Sequence, residues 1–345
     1  MPDPVTTNRS SFWSLLLRVG LSVLLLGFLF TKVNWSELSD SMRDLHWGGY
    51  LLAILISVVT QTAGGLRWGG LGQAVGFTQS RLRFVQLYYE GMFFSLCLPS
   101  SIGGDVLKAY RLVSDNAGRI LAACTIVTDR LAGLSALIVI GCTALATREY
   151  ELQATGVILV GLGMIALFLV TSWTVLRLLG SVALRLKEDS LPRRFAERLL
   201  PYAHHPVVFW RAGAWSLFIQ LLNVLAVSVL GWSIGIDIPL SAYSIAVPVI
   251  ALFTALPISL NGVGVREGGL VWLLAPYGVV ETQGVALGLL WLSTTIVMGA
   301  LGGVVYMFGG SQPEKVVNDL NQPPHDDSAE TDSQYRRCVP ASAEV

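Results

Sequence analysis

The sequence predicts an all-α polytopic membrane protein. It has about six transmembrane helices and two re-entrant broken-helix hairpins in inverted repeat; eight full spans are the alternative. Three observations predict this. The 345 residues are 53% hydrophobic and only 13% charged, with a mean hydropathy of +0.61, where soluble domains carry roughly a quarter charged residues. Six apolar runs are each long enough to cross a bilayer. Two further runs are shorter, end in Leu-Pro and meet a Gly-containing break.

The six long runs lie near 12–31, 47–64, 120–146, 155–176, 212–234 and 284–308. The first begins like a signal peptide, with Arg9 before an apolar stretch. The chain then continues Thr31-Lys32-Val33-Asn34-Trp35 without a small-x-small cleavage site, so an uncleaved span is expected. The short runs are 84–98 and 243–257, and helical character resumes at about 105–118 and 265–276. Residues 98–109 read LPSSIGGDVLKA and residues 256–267 read LPISLNGVGVRE, identical at four of twelve positions. So short a match arises by chance, but its placement once in each half favours a repeat. Interrupted apolar segments at corresponding places in two halves point to a transport site.

Charge sets the orientation. With a cytoplasmic N-terminus and two hairpins, the cytoplasmic stretches are 1–11, 65–83, 105–119, 177–211 and the tail. They hold seventeen Lys and Arg, while the external stretches hold three, Lys32, Arg43 and Arg148. That is a strong positive-inside bias. Each half then has three spans, an odd number, so halves 12–147 and 155–308 run in opposite directions. Counting the breaks as full spans preserves the parity and leaves the eight-span alternative open.

The expected organisation is a cytoplasmic N-terminus (1–11), one membrane domain (12–308) and a disordered cytoplasmic tail (311–345), in the cell (inner) membrane. The tail is polar and too poor in apolar residues to fold. Loop 177–211 is an ordinary basic loop, or carries an amphipathic surface helix near 190–200.

Several function classes are excluded or weak. Zero net charge gives no field for nucleic acid. The four Cys (97, 124, 142 and 338) form no CxxC pair and the four His no ligand cluster, so buried apolar filler is expected of the cysteines. There is no Walker A sequence, Gly262-Val-Gly264 lacks a βαβ context, and His204-His205 has no further ligands. No cofactor, metal or enzymatic activity is expected. Gly299 and Gly303 read as a close-packing motif; the sequon at Asn34 is a weak pattern.

The candidate site residues gather at the breaks. A helix that starts inside a membrane leaves its first N–H groups unpaired and aims its positive dipole end at that point. Ser100 and Ser101 are N-cap types; Gly103 and Gly104 would let an anion approach the backbone. Asn261, Gly262 and Gly264 are the counterparts, and the two sets would form a phosphate-sized site. Kinks that merely shape the bundle are the bland alternative. Asp129 and Arg130 lie about 15 Å into an apolar helix, where ionisable groups are expensive and usually functional. Arg130 would bind a phosphate or pair with Glu90, Asp105 or Glu267; Asp129 would balance a neighbour, carry a proton or join a structural ion pair. Neighbouring positions point about 100° apart, so both face the interior only obliquely. Arg266 would reach an anion, or stand exposed beside Glu267 as a capping carboxylate. Gln220 and Asn223 would make interhelical hydrogen bonds, with substrate contact as the alternative.

The segment Leu98-Pro99-Ser-Ser-Ile-Gly103-Gly104-Asp105, the pair Asp129-Arg130, and Pro257 with Asn261-Gly-Val-Gly264-Val-Arg266-Glu267 together resemble the lysylphosphatidylglycerol synthase transmembrane region family, over about residues 12–308. The resemblance implies a membrane region that flips a modified phospholipid between leaflets. Members known best carry a soluble aminoacyl transferase domain; none is seen after the last span here, so lysine transfer is not implied. Some relatives are linked to polyprenyl-phosphate sugars or hopanoids.

The expected function is therefore a lipid flippase or transporter for a phospholipid or polyprenyl-phosphate-linked lipid. The alternatives are a membrane-embedded transferase on lipid headgroups and a non-catalytic partner of a separate synthase. Expected partners are anionic or phosphate-bearing membrane lipids, with a separate lipid synthase or glycosyltransferase and a second copy of the chain as further candidates.

Overall fold

The computed structural model describes residues 43–97, 103–113, 116–149, 206–255 and 262–309, with single residues 27, 36, 163 and 166. Among the described residues there are helices and short connections, and no strand. In chain order they are α1 (Trp47–Ala74), α2 (Arg81–Cys97), α3 (Gly103–Leu112), α4 (Asn116–Glu149), α5 (Pro206–Ser233), α6 (Leu240–Ala255), α7 (Val265–Leu274), a 3-10 turn (Ala275–Tyr277) and α8 (Glu281–Phe308).

Four described helices, α1, α4, α5 and α8, are long and apolar enough to cross a membrane. They match four of the six predicted runs. The predicted spans 12–31 and 155–176, the segment 1–11, residues 177–205 of the basic loop, and the tail 311–345 lie outside the described residues.

Two predicted boundaries are corrected. Helix α1 runs to Ala74 rather than 64, so Arg67 is a helical residue and not part of a cytoplasmic loop. Gly64 and Gly65, where the predicted run ends, open the face of α1 to α2. A methyl at Gly65 would stand 2.7 Å from the Val85 Cα, and one at Gly72 2.5 Å from the Phe84 ring. Close approach of this kind outweighs the weak helix propensity of glycine. Helix α5 begins at Pro206 rather than 212, because proline is well suited to the first turn, where its missing N–H is not needed.

Helices α1 and α5 form a central antiparallel pair. His46 N donates to Ser233 O at 2.8 Å, joining the start of α1 to the end of α5. Towards the other end, Arg67 of α1 reaches Ser216 of α5. Helix α3 folds back on α2, as α7 and α6 pack together. Each first arm is also held by the other half of the chain: α2 lies on α8, and α6 lies on α4. The remaining principal neighbours are α1 with α2, α4 and α8, and α5 with α6, α4 and α8, plus α3 with α4 and α7 with α8. Exchanging α1 with α5, α2 with α6, α3 with α7 and α4 with α8 turns this set of neighbours into itself.

The α2–α8 contact rests on small residues. A methyl at Gly302 would strike the Tyr89 carbonyl, one at Gly299 the Leu96 side chain, and one at Gly303 the Phe93 ring at 3.0 Å. This is the close packing expected of Gly299 and Gly303. The α6–α4 contact sets Gly141 against Pro248.

Helix α4 buries Thr125, Thr128, Asp129 and Ser135 together with apolar side chains such as Ile126, Leu137 and Ile140, while Val127, Leu131, Leu134, Ile138 and Leu145 are exposed. Apart from Arg130 the exposed side chains are apolar, which suits a helix whose surroundings are lipid. Of the cysteines expected as filler, Cys124 is buried and Cys142 half-buried, but Cys97 is exposed at the end of α2; Cys338 lies outside the described residues.

Candidate functional site

Five charged residues of the first half form two ion-pair groups on α1, α3 and α4, which meet at the adjacent Asp129 and Arg130. Arg67 donates from Nε to Asp129 Oδ1 at 2.7 Å and from Nη2 to Oδ2 at 3.0 Å. Its Nη1 donates to Ser216 Oγ at 2.8 Å. Both side chains of the pair are almost wholly buried. The planar guanidinium thus ties three spans, α1, α4 and α5, with the bidentate geometry that arginine alone provides.

One helical step away, Arg130 does something different. Its side chain is 63% exposed, and it donates from Nε at 3.0 Å, with Nη2 at 2.9 Å, to Asp105 Oδ2 on α3. The other Asp105 oxygen accepts from Lys108 Nζ at 3.0 Å. Lys108 is buried, with its ammonium 4.3 Å from the Tyr88 ring centre and 5.9 Å from that of Trp68. Cation–π attraction is strongest in such dry settings. Trp68 is fixed by a 3.0 Å bond from Nε1 to Thr125 Oγ1 and by an edge-on contact with Phe84. Arg67, Lys108 and Arg130 thus face Asp105 and Asp129, an excess of one positive charge.

The adjacent pair Asp129-Arg130 is therefore divided. Asp129 points inward to a structural ion pair, Arg130 points outward, and of the three acids named for Arg130 it is Asp105 that binds it. The sequence reading missed Arg67, taken for a loop residue, and Ser216, which carries no signal of its own. Lys108, which matches Arg266 in the aligned segments, was placed among the basic residues of the cytoplasmic stretch 105–119. A charged residue inside an apolar run that continues beyond it was the available signal for Arg67.

Gly104 requires a correction. A Cβ there would collide with the Gly91 carbonyl and Ser95 Oγ. Its missing side chain admits the backbone of α2, so the space is filled by protein rather than left for an anion. Gly91 in turn makes room for the Lys108 stem. Gly103 opens α3. Ser100, Ser101 and Asn261 lie outside the described residues.

In the second half, Glu267 is the capping carboxylate. Its Oε2 accepts from Gly264 N at 2.6 Å, holding the first turn of α7. Gly262 and Gly264 adopt φ of +77° and +84°, conformations that glycine enters without strain. Gly288 of α8 leaves space for Glu267, which is fully buried. Arg266 is not exposed, as the capping alternative had it: it is buried, with its guanidinium carbon 5.1 Å from the centre of the Trp291 ring. Lys108 and Arg266, aligned in the two similar segments, are thus both buried cations set against aromatic rings, held by different groups of helices.

Two further groups complete the picture. Glu90 of α2 is buried between Arg111 of α3 and, at 3.9 Å, Arg83. Arg111 also lies over the Tyr306 ring of α8 at 4.8 Å, so this ion pair fastens the first hairpin to the last helix. Gln220 donates to Gly133 O of α4 at 3.5 Å and accepts from Asn223 at 2.9 Å, so Gln220 makes the interhelical contact and Asn223 supports it. Among the described residues, no three His, Cys, Asp or Glu side chains gather as metal ligands would.

Neither the curated proteins nor the solved structures contain a match to the chain. The family model for the lysylphosphatidylglycerol synthase TM region matches residues 15–303, so this multi-pass helical membrane protein belongs to that family.

Proposed function

We propose that the chain moves a phosphate-bearing lipid, either a phospholipid or a polyprenyl-phosphate-linked lipid, between the leaflets of the cell membrane. Family membership ties it to membrane lipid. The observation that carries the transport reading is the cationic cluster of Arg67 and Arg130 on apolar helices with buried Lys108 beside them. Charge left unbalanced in hydrocarbon is costly. This cluster keeps an excess positive charge, which an anionic headgroup would complete.

The architecture supports the same reading. The exchange of neighbours between halves and the antiparallel α1–α5 pair favour an inverted repeat, the design in which one half rocks against the other. Helices α2 and α6 have 17 and 16 residues, about 25 Å of helix, short of the ~30 Å hydrocarbon core. Helices α3 and α7 reach about 15 Å. Such lengths favour re-entrant hairpins over full spans. With Arg67 and Lys108 withdrawn from the loops, basic residues still favour the cytoplasmic side by fifteen to three, which supports cytoplasmic termini.

The test is leaflet-resolved transport in liposomes carrying the purified protein, with fluorescent phosphatidylglycerol, phosphatidylcholine and a polyprenyl phosphate. Protein-dependent movement of an anionic class, lost in Arg130→Ala, is expected. Movement of no class by folded protein overturns the transport reading in favour of a partner role beside a separate synthase.

A further inference from the structure

The exposed positions of α4 between 121 and 146 are Val127, Arg130, Leu131, Leu134, Ile138 and Leu145. Their spacing of three, four and seven places them on one stripe. Five are branched aliphatic side chains and the sixth is an arginine. It stands nine residues into the span that begins at Leu121, about 14 Å from that end. Long basic side chains near a membrane surface ordinarily reach back to water. Arg130 is prevented from doing so, because Nε and Nη2 are both held by Asp105 Oδ2. Among the described residues no partner takes Nη1. Asp105 does not neutralise Arg130 alone, since its other oxygen serves Lys108.

We infer that the outer face of α4 is a lateral docking site for an anionic phospholipid, with its phosphate on the Arg130 guanidinium and an acyl chain along Leu131, Leu134, Ile138 and Leu145. The charge left by Lys108, Arg130 and Asp105 is matched by one phosphodiester. The stripe from Leu131 to Leu145 is about 21 Å long, which accommodates an extended chain without any enclosed cavity. Recognition then lies in the headgroup, and the chain stays in the bilayer. This deepens the transport reading and rests on it in one respect: a headgroup held about 14 Å deep is a lipid caught partway across.

The test uses the full-length protein with Cys97, Cys142 and Cys338 replaced by Ser and buried Cys124 retained, a fluorophore at Ile138→Cys, and lipids brominated on their chains. Brominated phosphatidylglycerol at low mole fraction in phosphatidylcholine should quench the fluorophore about fivefold more effectively than brominated phosphatidylcholine, the factor that one basic side chain gives against anionic lipid. Arg130→Ala should remove the preference and Arg130→Lys retain part of it. A fluorophore at Leu221→Cys, on the exposed face of α5, should show none. Excess inorganic phosphate should leave the preference intact. Equal quenching by both lipids at position 138, a preference that survives in Arg130→Ala, or its abolition by inorganic phosphate overturns the site. Preference at 138 in a protein that moves no lipid keeps the site and removes the transport reading. Transport that persists in Arg130→Ala while the preference is lost places the site off the transport path.

Discussion

Replacing Asp129 by Asn tests the central ion pair with almost no change of shape. In the native chain the carboxylate accepts two N–H groups of Arg67, and Ser216 takes a third. The amide of Asn offers one acceptor oxygen and turns an NH2 towards the guanidinium. Arg67 then remains buried with its charge uncompensated and at least one donor unmet. Removing one partner of a buried pair costs about 3–5 kcal/mol. Ser216→Ala, which deletes a single hydrogen bond to a charged group, should cost about 1.5–3 kcal/mol. The double replacement Arg67→Met with Asp129→Leu removes both charges and should recover most of the loss, since buried pairs are often replaceable by apolar side chains of similar volume. The assay is reversible unfolding in mixed micelles against increasing sodium dodecyl sulfate, followed by tryptophan fluorescence. Asp129→Asn within about 1 kcal/mol of the parent, below the lower bound for a broken buried pair, would refute the argument. So would a double variant weaker than the single one.

Other perturbations separate packing from binding. Gly104→Leu should destabilise by at least about 1–3 kcal/mol through overpacking between α2 and α3, so lowered thermal stability should accompany any loss of transport. Glu90→Gln leaves Arg111 buried without its carboxylate and should cost about 3–5 kcal/mol, read in the same unfolding assay. Gly264→Ala forces a side chain into φ of +84° and should cost about 1 kcal/mol or more, with the loss seen as faster amide exchange in α7. Trp291→Ala removes the ring against Arg266 and should lower transport severalfold while leaving binding at the α4 face unchanged.

The apolar spans were legible because a bilayer imposes a minimum length on every helix that crosses it, and that length is written in consecutive residues. The end of α1 was not legible, because Gly64 and Gly65 serve equally well as a break or as a seat for a neighbouring helix. Only the presence of Val85 and Phe84 opposite them decides. Gly104 failed for the same reason: a missing side chain near a helix start admits either an anion or another backbone. Asp129 and Arg130 were legible at depth through the cost of burying charge, and Asp105 was among the three acids named for Arg130. Arg67 was not legible as the partner of Asp129, since it reaches the carboxylate from a distant stretch of sequence that reads as a loop. Adjacent Asp129 and Arg130 look like one motif, yet helical geometry sends one inward and the other towards the bilayer.

The crossed packing of α2 on α8 and α6 on α4 has a consequence for assembly. A polypeptide equal to one half would leave its own hairpin unclasped, since the helix that holds that hairpin lies in the other half. Neither half can therefore finish packing in the membrane until the other has been inserted, so α2 waits unclasped for α8, the last described helix to be made. The ion pair Glu90–Arg111 then fastens the first hairpin, while Pro248 packed on Gly141 marks the seat of the second.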